Sequence, residues 1–444
     1  MRAGAPTFVI ALLAAALALV AAPQAARAAG MTTHAWMADV GIDRVEDQAL
    51  RELLSTQRAT VGSGASYPDS GYYLGAVHPG ADFGEITHWE QFINAYVAHI
   101  RSKPGCEGTL TDPRGPCAQL VAHLMGAAAH GLGDETWDWM FESQMPDHGE
   151  HPHDRRRVDD QPGWAELGTL PAGGSELQSL LIGLDDATVG DDDHPLFGVI
   201  NSPEYNMDVV AINDHGRVWF DSLPPPVSDL VEVYRDIGRD DVTADGITVA
   251  WAGITAILAA ERASILDAQG VRNDMPWSAA NMTTSQGGVF HSAEMIAGYY
   301  EALWHKLLDD EHPAPRVVGT APFDGTEGVP TDWAGAQTFA GPHGDGDKRI
   351  IAVLSNGLAY DAPRHRPGAM RLFDEHGNEV PPRAGFPQTG PYGGPGVHSI
   401  AFFPAGDLAA CTTYTAEVTT ELADHAGVSL AEPYRWSFTT GGCP

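Results

Sequence analysis

The feature that most constrains the fold is a change of hydrophobic pattern near residues 312–315 (HPAP). Before this point apolar residues recur at helical spacing, as they do over residues 120–128. After it, short alternating segments such as 349–354 and 413–418 are separated by turns rich in Gly, Pro, Asn and Asp. The sequence therefore predicts a multidomain chain, with a mainly α-helical part followed by an all-β sandwich.

We place the domain boundary at this change, which gives a helical domain over residues 29–312 and a β domain over 313–444. Residues 1–28 are typical of a secretory signal, because Arg2 precedes an apolar run of 15 residues that ends near small residues. That run is shorter than the roughly 20 residues that cross a bilayer. We therefore expect cleavage after Ala28 and a secreted or cell-surface protein.

Charge and cysteine content narrow the classes of function. The chain has 25 Lys and Arg against 59 Asp and Glu, a net charge of −34, so a basic nucleic-acid surface is disfavoured. An acidic protein can still bind phosphate if metal ions supply positive charge. The four cysteines suggest disulfides in an exported chain, most simply Cys106–Cys117 and Cys411–Cys443, with free thiols as the alternative. Residues 147–202, rich in Gly, Pro and Asp, suggest a long surface insertion.

Four short segments carry residues that suit metal chemistry. They are THAW with His34, SYPDSG with Asp69, THW with His88, and AAHGLGD with His130 and Asp134. The last two residues are four apart on a predicted helix and so share one face. Taken alone, this spacing is more typical of a hydrogen-bonded surface pair. The four segments together favour a metal site, since imidazole and carboxylate are ligands that Zn²⁺ accepts.

In order and in neighbouring residues, these segments resemble the zinc-dependent phospholipase C family. The likeness is closest to the N-terminal catalytic domain of glycosylphosphatidylinositol-specific phospholipase D. It rests on THAWMADVGI, ATVGSGASYPDSGYY, EITHWEQFINAYVAHIR and LVAHLMGAAAHGLGDETW, within residues 29–140. The resemblance implies a helical fold of the phospholipase C and P1 nuclease type that holds two or three zinc ions.

The same resemblance implies a set of metal ligands: Ala29, His34, Asp69, His88, His130, Asp134, Glu204 and Asp208. The free α-amino group of a mature N-terminus at Ala29 would bind one zinc ion together with His34. Asp69, His88, His130 and Asp134 would surround another ion, with Asp134 as a bridge. Asp69 would also act in catalysis, by taking a proton from a zinc-bound water.

The third metal site departs from the family pattern. Glu204 and Asp208 would be its ligands, but no histidine precedes Glu204 at the place where the family has one. Histidines at positions 148, 151 and 153 could substitute, or they could belong to a solvated loop. A site with two zinc ions, or a third site with altered ligands, is therefore left open.

Each of four neighbouring side chains has two possible roles. His123, seven residues before His130, would support a metal ligand or pack in the core. Trp36, Trp89 and Trp137 would line a lipid pocket or form core walls around the metals.

The resemblance implies a secreted zinc-dependent phosphodiesterase that hydrolyses phospholipids, with phospholipase C-type or D-type cleavage. We expect a monomer that contacts a phospholipid or glycosylphosphatidylinositol substrate at a membrane surface, and no nucleic-acid partner. The alternatives are a single-strand nuclease of the related zinc-dependent type, or a surface binding protein with a structural metal site. Residues 314–442 resemble a bacterial Ig-like domain, which we expect to fold independently as a spacer or binding unit.

Overall fold

A computed structural model describes two regions, one helical and one made of β-sheets, in the order that the sequence predicts. The described residues are 30–74, 78, 80–141, 144, 211, 223–263, 272, 276–308, 312–333, 350–359, 368–383, 387–389 and 397–443.

The N-terminal part of the described chain is helical. Its α-helices are α1 Met31–Arg44, α2 Gln48–Thr56, α3 Arg58–Ser66, α4 Ser70–Leu74, α5 Gly84–Thr87, α6 Glu90–Ser102, α7 Ala118–Thr136, α8 Val227–Asp236, α9 Ala244–Ala263, α10 Pro276–Asn281 and α11 Val289–Leu308. A short π-helix, Trp137–Phe141, continues α7.

Helix α7 is buried along nearly its whole length and lies at the centre of the helical region. Its early turns are apolar, and its polar side chains His123, His130, Asp134 and Glu135 are buried with it. Helix α3 packs closely against it, because glycines occupy the contact on both helices. A Cβ on Gly126 would lie 2.1 Å from the backbone oxygen of Val61.

The C-terminal part consists of two β-sheets that enclose a common apolar core. The strands are β1 Val317–Ala321, β2 Thr326–Val329, β3 Ile350–Leu354, β4 Met370–Phe373, β5 Glu379–Val380, β6 Gln388–Thr389, β7 Ser399–Phe402, β8 Thr413–Val418 and β9 Tyr434–Thr440. One sheet has the order β1-β3-β7-β6 and the other β2-β9-β8-β4-β5. All pairings are antiparallel except that of β2 with β9, which is parallel.

Strand β3 is buried on both faces, which joins the two regions into one packed structure. Ile350, Ala352 and Leu354 point into the core between the sheets, whereas Ile351 and Val353 belong to the core of the helical region. Helix α11 packs on this sheet through close contacts such as that of Gly298 with Val318. The described helical and β regions therefore share part of a core, and independent folding of the β domain stays a prediction.

Two disulfides are present, and both pairings are those expected. Cys106 bonds to Cys117 with Cα atoms 5.5 Å apart, and Cys411 bonds to Cys443 with Cα atoms 4.7 Å apart. Among the described helices, none has the length and apolar character required to cross a membrane.

The contact of α3 with α7 yields a test of the fold. Gly126→Ala should lower the free energy of unfolding by about 1–3 kcal/mol or more, because the methyl group meets backbone atoms that cannot rotate away. This loss would outweigh the gain in helix propensity of about 1 kcal/mol that alanine brings to a helix. Urea unfolding followed by circular dichroism measures the difference.

The matched control is Gly406→Ala, since no atom lies within 4 Å of the Cβ that this change would add. Its effect should stay within about 0.5 kcal/mol. Equal unfolding midpoints for the two variants would contradict the packing assigned to Gly126.

Candidate metal centre

Five of the residues predicted as ligands come together in the helical region; we call them the candidate centre. His34 lies in the first turn of α1, Asp69 between α3 and α4, His88 directly after α5, and His130 and Asp134 on α7. Among the described residues they form two overlapping groups in which the potential ligand atoms lie within 4.8 Å of one another. The groups are His34, His130 and Asp134, and Asp69, His88 and His130.

The spacing of the ligand atoms suits a tetrahedral metal ion. His88 Nε2 is 3.5 Å and His130 Nε2 is 3.4 Å from Asp69 Oδ1. The same two nitrogens lie 3.2 and 3.6 Å from Asp134 Oδ2. Metal–ligand bonds of about 2.0–2.1 Å at tetrahedral angles separate neighbouring ligand atoms by about 3.3 Å. In ligand type and spacing, the cluster could therefore hold a metal ion.

The two oxygens of Asp134 face different histidines. Oδ1 lies 2.8 Å from His34 Nε2, while Oδ2 faces His88 and His130. The rings of His34 and His130 stack with centroids 3.8 Å apart. Asp134, a member of the first group, thus also faces His88 of the second, which is the position that a bridging carboxylate requires.

The tautomers of two histidines are set by backbone carbonyls. Nδ1 of His88 donates to the carbonyl oxygen of Gly84 at 2.7 Å, and Nδ1 of His130 donates to that of Ala65 at 2.6 Å. Both Nε2 atoms are buried, and neither makes a hydrogen bond with the described residues. This is the arrangement of metal-binding histidines, in which the second ring nitrogen is fixed by a hydrogen bond.

Two glycines between His130 and Asp134 let the other segments approach α7. A Cβ on Gly131 would lie 2.2 Å from the backbone oxygen of His88, and one on Gly133 would lie 2.7 Å from Nδ1 of His34. The role of this GLG segment is not evident from the four motifs. Its signal is the pair of glycines inside an otherwise apolar helix, where each costs helix stability.

A second pair of glycines brings Asp69 and His88 together. A Cβ on Gly71, in α4, would lie 2.2 Å from the backbone nitrogen of Gly84 in α5. A Cβ on Gly84 would in turn meet the ring of Tyr72 at 2.7 Å. Close packing of α4 on α5 is therefore possible only with small residues at both positions.

Charges in the candidate centre are strongly coupled. Burial raises the pKa of Asp69, but His130 and His88 outweigh this effect and hold that pKa well below its usual range. Burial raises the pKa of Asp134 to about 7 against the opposing effect of the same two histidines. For His88, burial lowers the pKa, but Asp69 and Asp134 raise it to about 9. For His130, burial and the nearby His34 lower the pKa.

The neighbouring aromatic residues differ in exposure. The His123 ring packs against Tyr67 at a centroid distance of 5.2 Å, and burial lowers its pKa to about 3, which fits a core histidine. Trp137 is buried against Phe141, so it forms a core wall. Trp89 is half-buried, and its Nε1 donates to Glu85 at 2.8 Å.

The remaining predicted ligands, Ala29, Glu204 and Asp208, lie outside the described residues, as do the predicted signal segment 1–28 and the insertion 147–202. Their assignments remain predictions.

Comparison with known proteins finds two similarities, each over a limited part of the chain. Residues 366–440 match the family described as "Bacterial Ig-like domain", which confirms that resemblance for the C-terminal region. A stretch of 119 residues is 30% identical to phosphatidylinositol-glycan-specific phospholipase D of Bos taurus. This similarity covers 24% of the chain and 13% of the bovine protein, so the chain spans a small part of that relative.

Solved structures with similarity are bacterial S-layer proteins. The N-terminal part of SbsC is 11% identical and covers 79% of this chain and 78% of its own, with a TM-score of 0.20. A longer SbsC fragment, rSbsC(31-844), is 11% identical, covers 81% and 46%, and has a TM-score of 0.18. TM-scores this low carry no argument about fold or function.

Asp134→Ala tests the cluster directly. Because both carboxylate oxygens face histidines of the candidate centre, zinc affinity should fall more than about 100-fold, the upper end of the loss for a residue that only supports a ligand. Zinc content per folded chain is measured by elemental analysis after dialysis. Asp39→Asn is the control, since Asp39 is a buried aspartate of α1 that pairs with Arg58. Normal zinc content in Asp134→Ala would remove this residue from the centre.

Gly133→Ala tests the close approach of α1 to α7. The added methyl group would displace the His34 ring, so zinc affinity should fall about 10-fold although no ligand is removed. Gly298→Ala on α11 is the comparison, because its added methyl group perturbs the packing against Val318 without touching a ligand or a group that orients one. If zinc affinity in the two variants falls only in proportion to stability, Gly133 has no specific role in the centre.

Proposed function

We propose that this protein is a secreted zinc-dependent phosphodiesterase that hydrolyses phospholipids. The observation that carries the proposal is the cluster of three histidines and two aspartates, in two groups that share His130. The similarity of part of the chain to a phospholipase D supports the same class of reaction. The helical region would then have the fold type of zinc-dependent phospholipase C and P1 nuclease.

The cluster would hold two zinc ions, or three if residues outside the described ranges take part. His34 with Ala29 would hold one ion, and Asp69, His88 and His130 another, with Asp134 shared between them. Glu204 and Asp208 are the proposed ligands of a third. When bound, zinc polarises a phosphoryl oxygen and lowers the pKa of its water towards about 7.

Asp69 is the proposed proton acceptor. Its side chain is 15% exposed, whereas those of the other four residues are 0–4% exposed, so Asp69 is the residue of the centre that solvent and substrate reach most easily. His130 and His88 keep the pKa of this carboxyl low despite burial, so it is ionised. Because a low pKa makes a weak base, its proposed role rests on its position in the centre. General base catalysis by such a group contributes about 10²–10⁴-fold to rate.

The other proposed ligands have side chains that are already held in one orientation. His88 and His130 are oriented by their backbone hydrogen bonds, and Asp134 is enclosed by the histidines around it. A group that is already oriented does not need to reorganise when charge develops on a phosphodiester, and this preorganisation lowers the barrier.

The net charge of the chain also favours one class of substrate over another. A chain with net charge −34 repels polyanions, so a site for an anionic phosphate must owe its positive potential to bound metal. This favours phospholipid over nucleic acid as the substrate. The two disulfides and the Ig-like domain support a secreted or surface location. We propose a monomer that meets membranes transiently.

Asp69→Asn separates catalysis from metal binding. The amide keeps an oxygen ligand but cannot accept a proton, so kcat should fall about 10²–10⁴-fold. Zinc content should fall much less than in Asp134→Ala, because the amide oxygen can still bind the metal whereas alanine offers no ligand atom. The assay follows hydrolysis of short-chain phosphatidylcholine and phosphatidylinositol by mass spectrometry, which separates diacylglycerol from phosphatidic acid as product.

A parallel assay on single-stranded DNA tests the nuclease alternative. Zinc-loaded protein that cuts DNA but no phospholipid would transfer the proposal to that class. Zinc-loaded protein without activity on either substrate would favour a structural metal site in a binding protein.

A further inference from the structure

A buried carboxylate joins the candidate centre to the β domain. Glu135 follows Asp134 on α7 and is 1% exposed. Its oxygens accept hydrogen bonds from the backbone N–H of His398 at 2.8 and 2.9 Å and from that of Ser399 at 3.0 Å. The hydroxyl of Ser399 donates a further bond at 2.7 Å. These donors lie 263 and 264 residues away in sequence, at the start of β7.

A second buried carboxylate makes the same connection from another side. Glu90 is the first residue of α6, two positions after His88. It accepts hydrogen bonds from Lys306 Nζ at 2.7 Å and from the hydroxyl of Tyr299 at 2.5 Å, both on α11. Nε2 of His398 lies 3.6 Å from Glu90 Oε2. The β domain thus contacts the residues beside two of the metal ligands.

These buried carboxylates complete hydrogen bonds across the contact between the two regions. A buried carboxylate is costly unless several hydrogen bonds compensate it, and an apolar side chain in place of Glu135 would leave the backbone N–H groups of His398 and Ser399 without this acceptor. Two of the three donors around Glu135 are backbone N–H groups at the start of a strand, so their directions are fixed. They therefore fix the last turn of α7, on which Asp134 is the preceding residue.

We propose that Glu135 is a positioning residue for the candidate centre, and that the β domain completes the centre's support through His398 and Ser399. This inference rests on the proposed metal site and extends it, since it makes the Ig-like domain part of the metal-binding unit. Support of this kind around metal ligands is worth about 10–100-fold in affinity or activity.

Cobalt(II) binding to the whole chain tests the proposal, because its visible absorption reports the geometry of the ligands as well as affinity. Glu135→Gln keeps the size of the side chain but places an amide N–H₂ against N–H donors. We expect about 10–100-fold weaker cobalt binding and an altered visible spectrum. Ser399→Ala removes one donor from the β domain and should weaken cobalt binding by roughly three- to tenfold with the same spectral change.

Each variant has a matched control in the β domain. Glu417→Gln changes another buried carboxylate, which pairs with Arg435. Ser437→Ala removes a hydroxyl that lies 3.2 Å from the hydroxyl of Thr415. Both residues belong to the sheet that does not contain β7. Both controls should keep the wild-type spectrum and affinity, even where thermal stability falls.

The proposal is overturned if Glu135→Gln and Ser399→Ala remain folded and bind cobalt as the wild type does. It is also overturned if the controls change the spectrum equally, since the effect would then be general destabilisation. If Glu135→Gln does not fold, Ser399→Ala decides by the same criteria. If the wild type binds cobalt but hydrolyses no phosphodiester, the proposed function is refuted. The positioning role of Glu135 is then still decided by the cobalt data. A wild type that binds no cobalt refutes both.

Discussion

The structure of the helical region depends on how closely other segments approach α7. Gly126 allows backbone contact with α3, Gly131 with the segment of His88, and Gly133 with the His34 ring. At each position a single methyl group would overlap a neighbouring atom. Each glycine costs helix stability, so tertiary contact must repay that cost. The same contacts that close the core also bring histidines from separate segments to one place.

Burial then determines the chemistry of the candidate centre. Histidines and carboxylates that are removed from water must compensate one another or bind a metal ion. The backbone carbonyls of Gly84 and Ala65 take one nitrogen of His88 and His130, which directs the other nitrogen to the carboxylates. A cluster of this composition and spacing is better suited to a cation than to any role in packing.

The β domain is connected to this centre through a sheet with two buried faces. One face of β3 belongs to the sandwich core and the other to the helical core. At the start of the neighbouring strand β7, the hydroxyl of Ser399 donates a hydrogen bond to Glu135. A spacer domain needs neither a shared core nor a buried carboxylate at its contact. The interface therefore has the character of an interior rather than of a linker between modules.

Much of this organisation is determined by the sequence alone. Helical periodicity, strand alternation, the local disulfide pairs and the spacing of His130 and Asp134 depend on neighbours in the chain, so they can be predicted without a structure. The resemblance of four segments predicted a common site for His34, Asp69, His88, His130 and Asp134, which the structure brings together. It gave no account of how the segments meet.

Tertiary structure decided what depends on distant residues. The segment 349–354 by itself predicts an alternating strand of a separate domain. In the structure Ile350 to Leu354 is buried throughout, and its continuous apolar run is the pattern of a strand buried on both faces. The partner of Glu135 lies more than 260 residues away, and no local pattern marks it. The roles of Gly131 and Gly133 also cannot be predicted from the sequence. A glycine in a helix indicates that another segment packs closely against it, but not which segment that is. These features follow from packing between elements, which the spacing of residues along one chain segment does not encode.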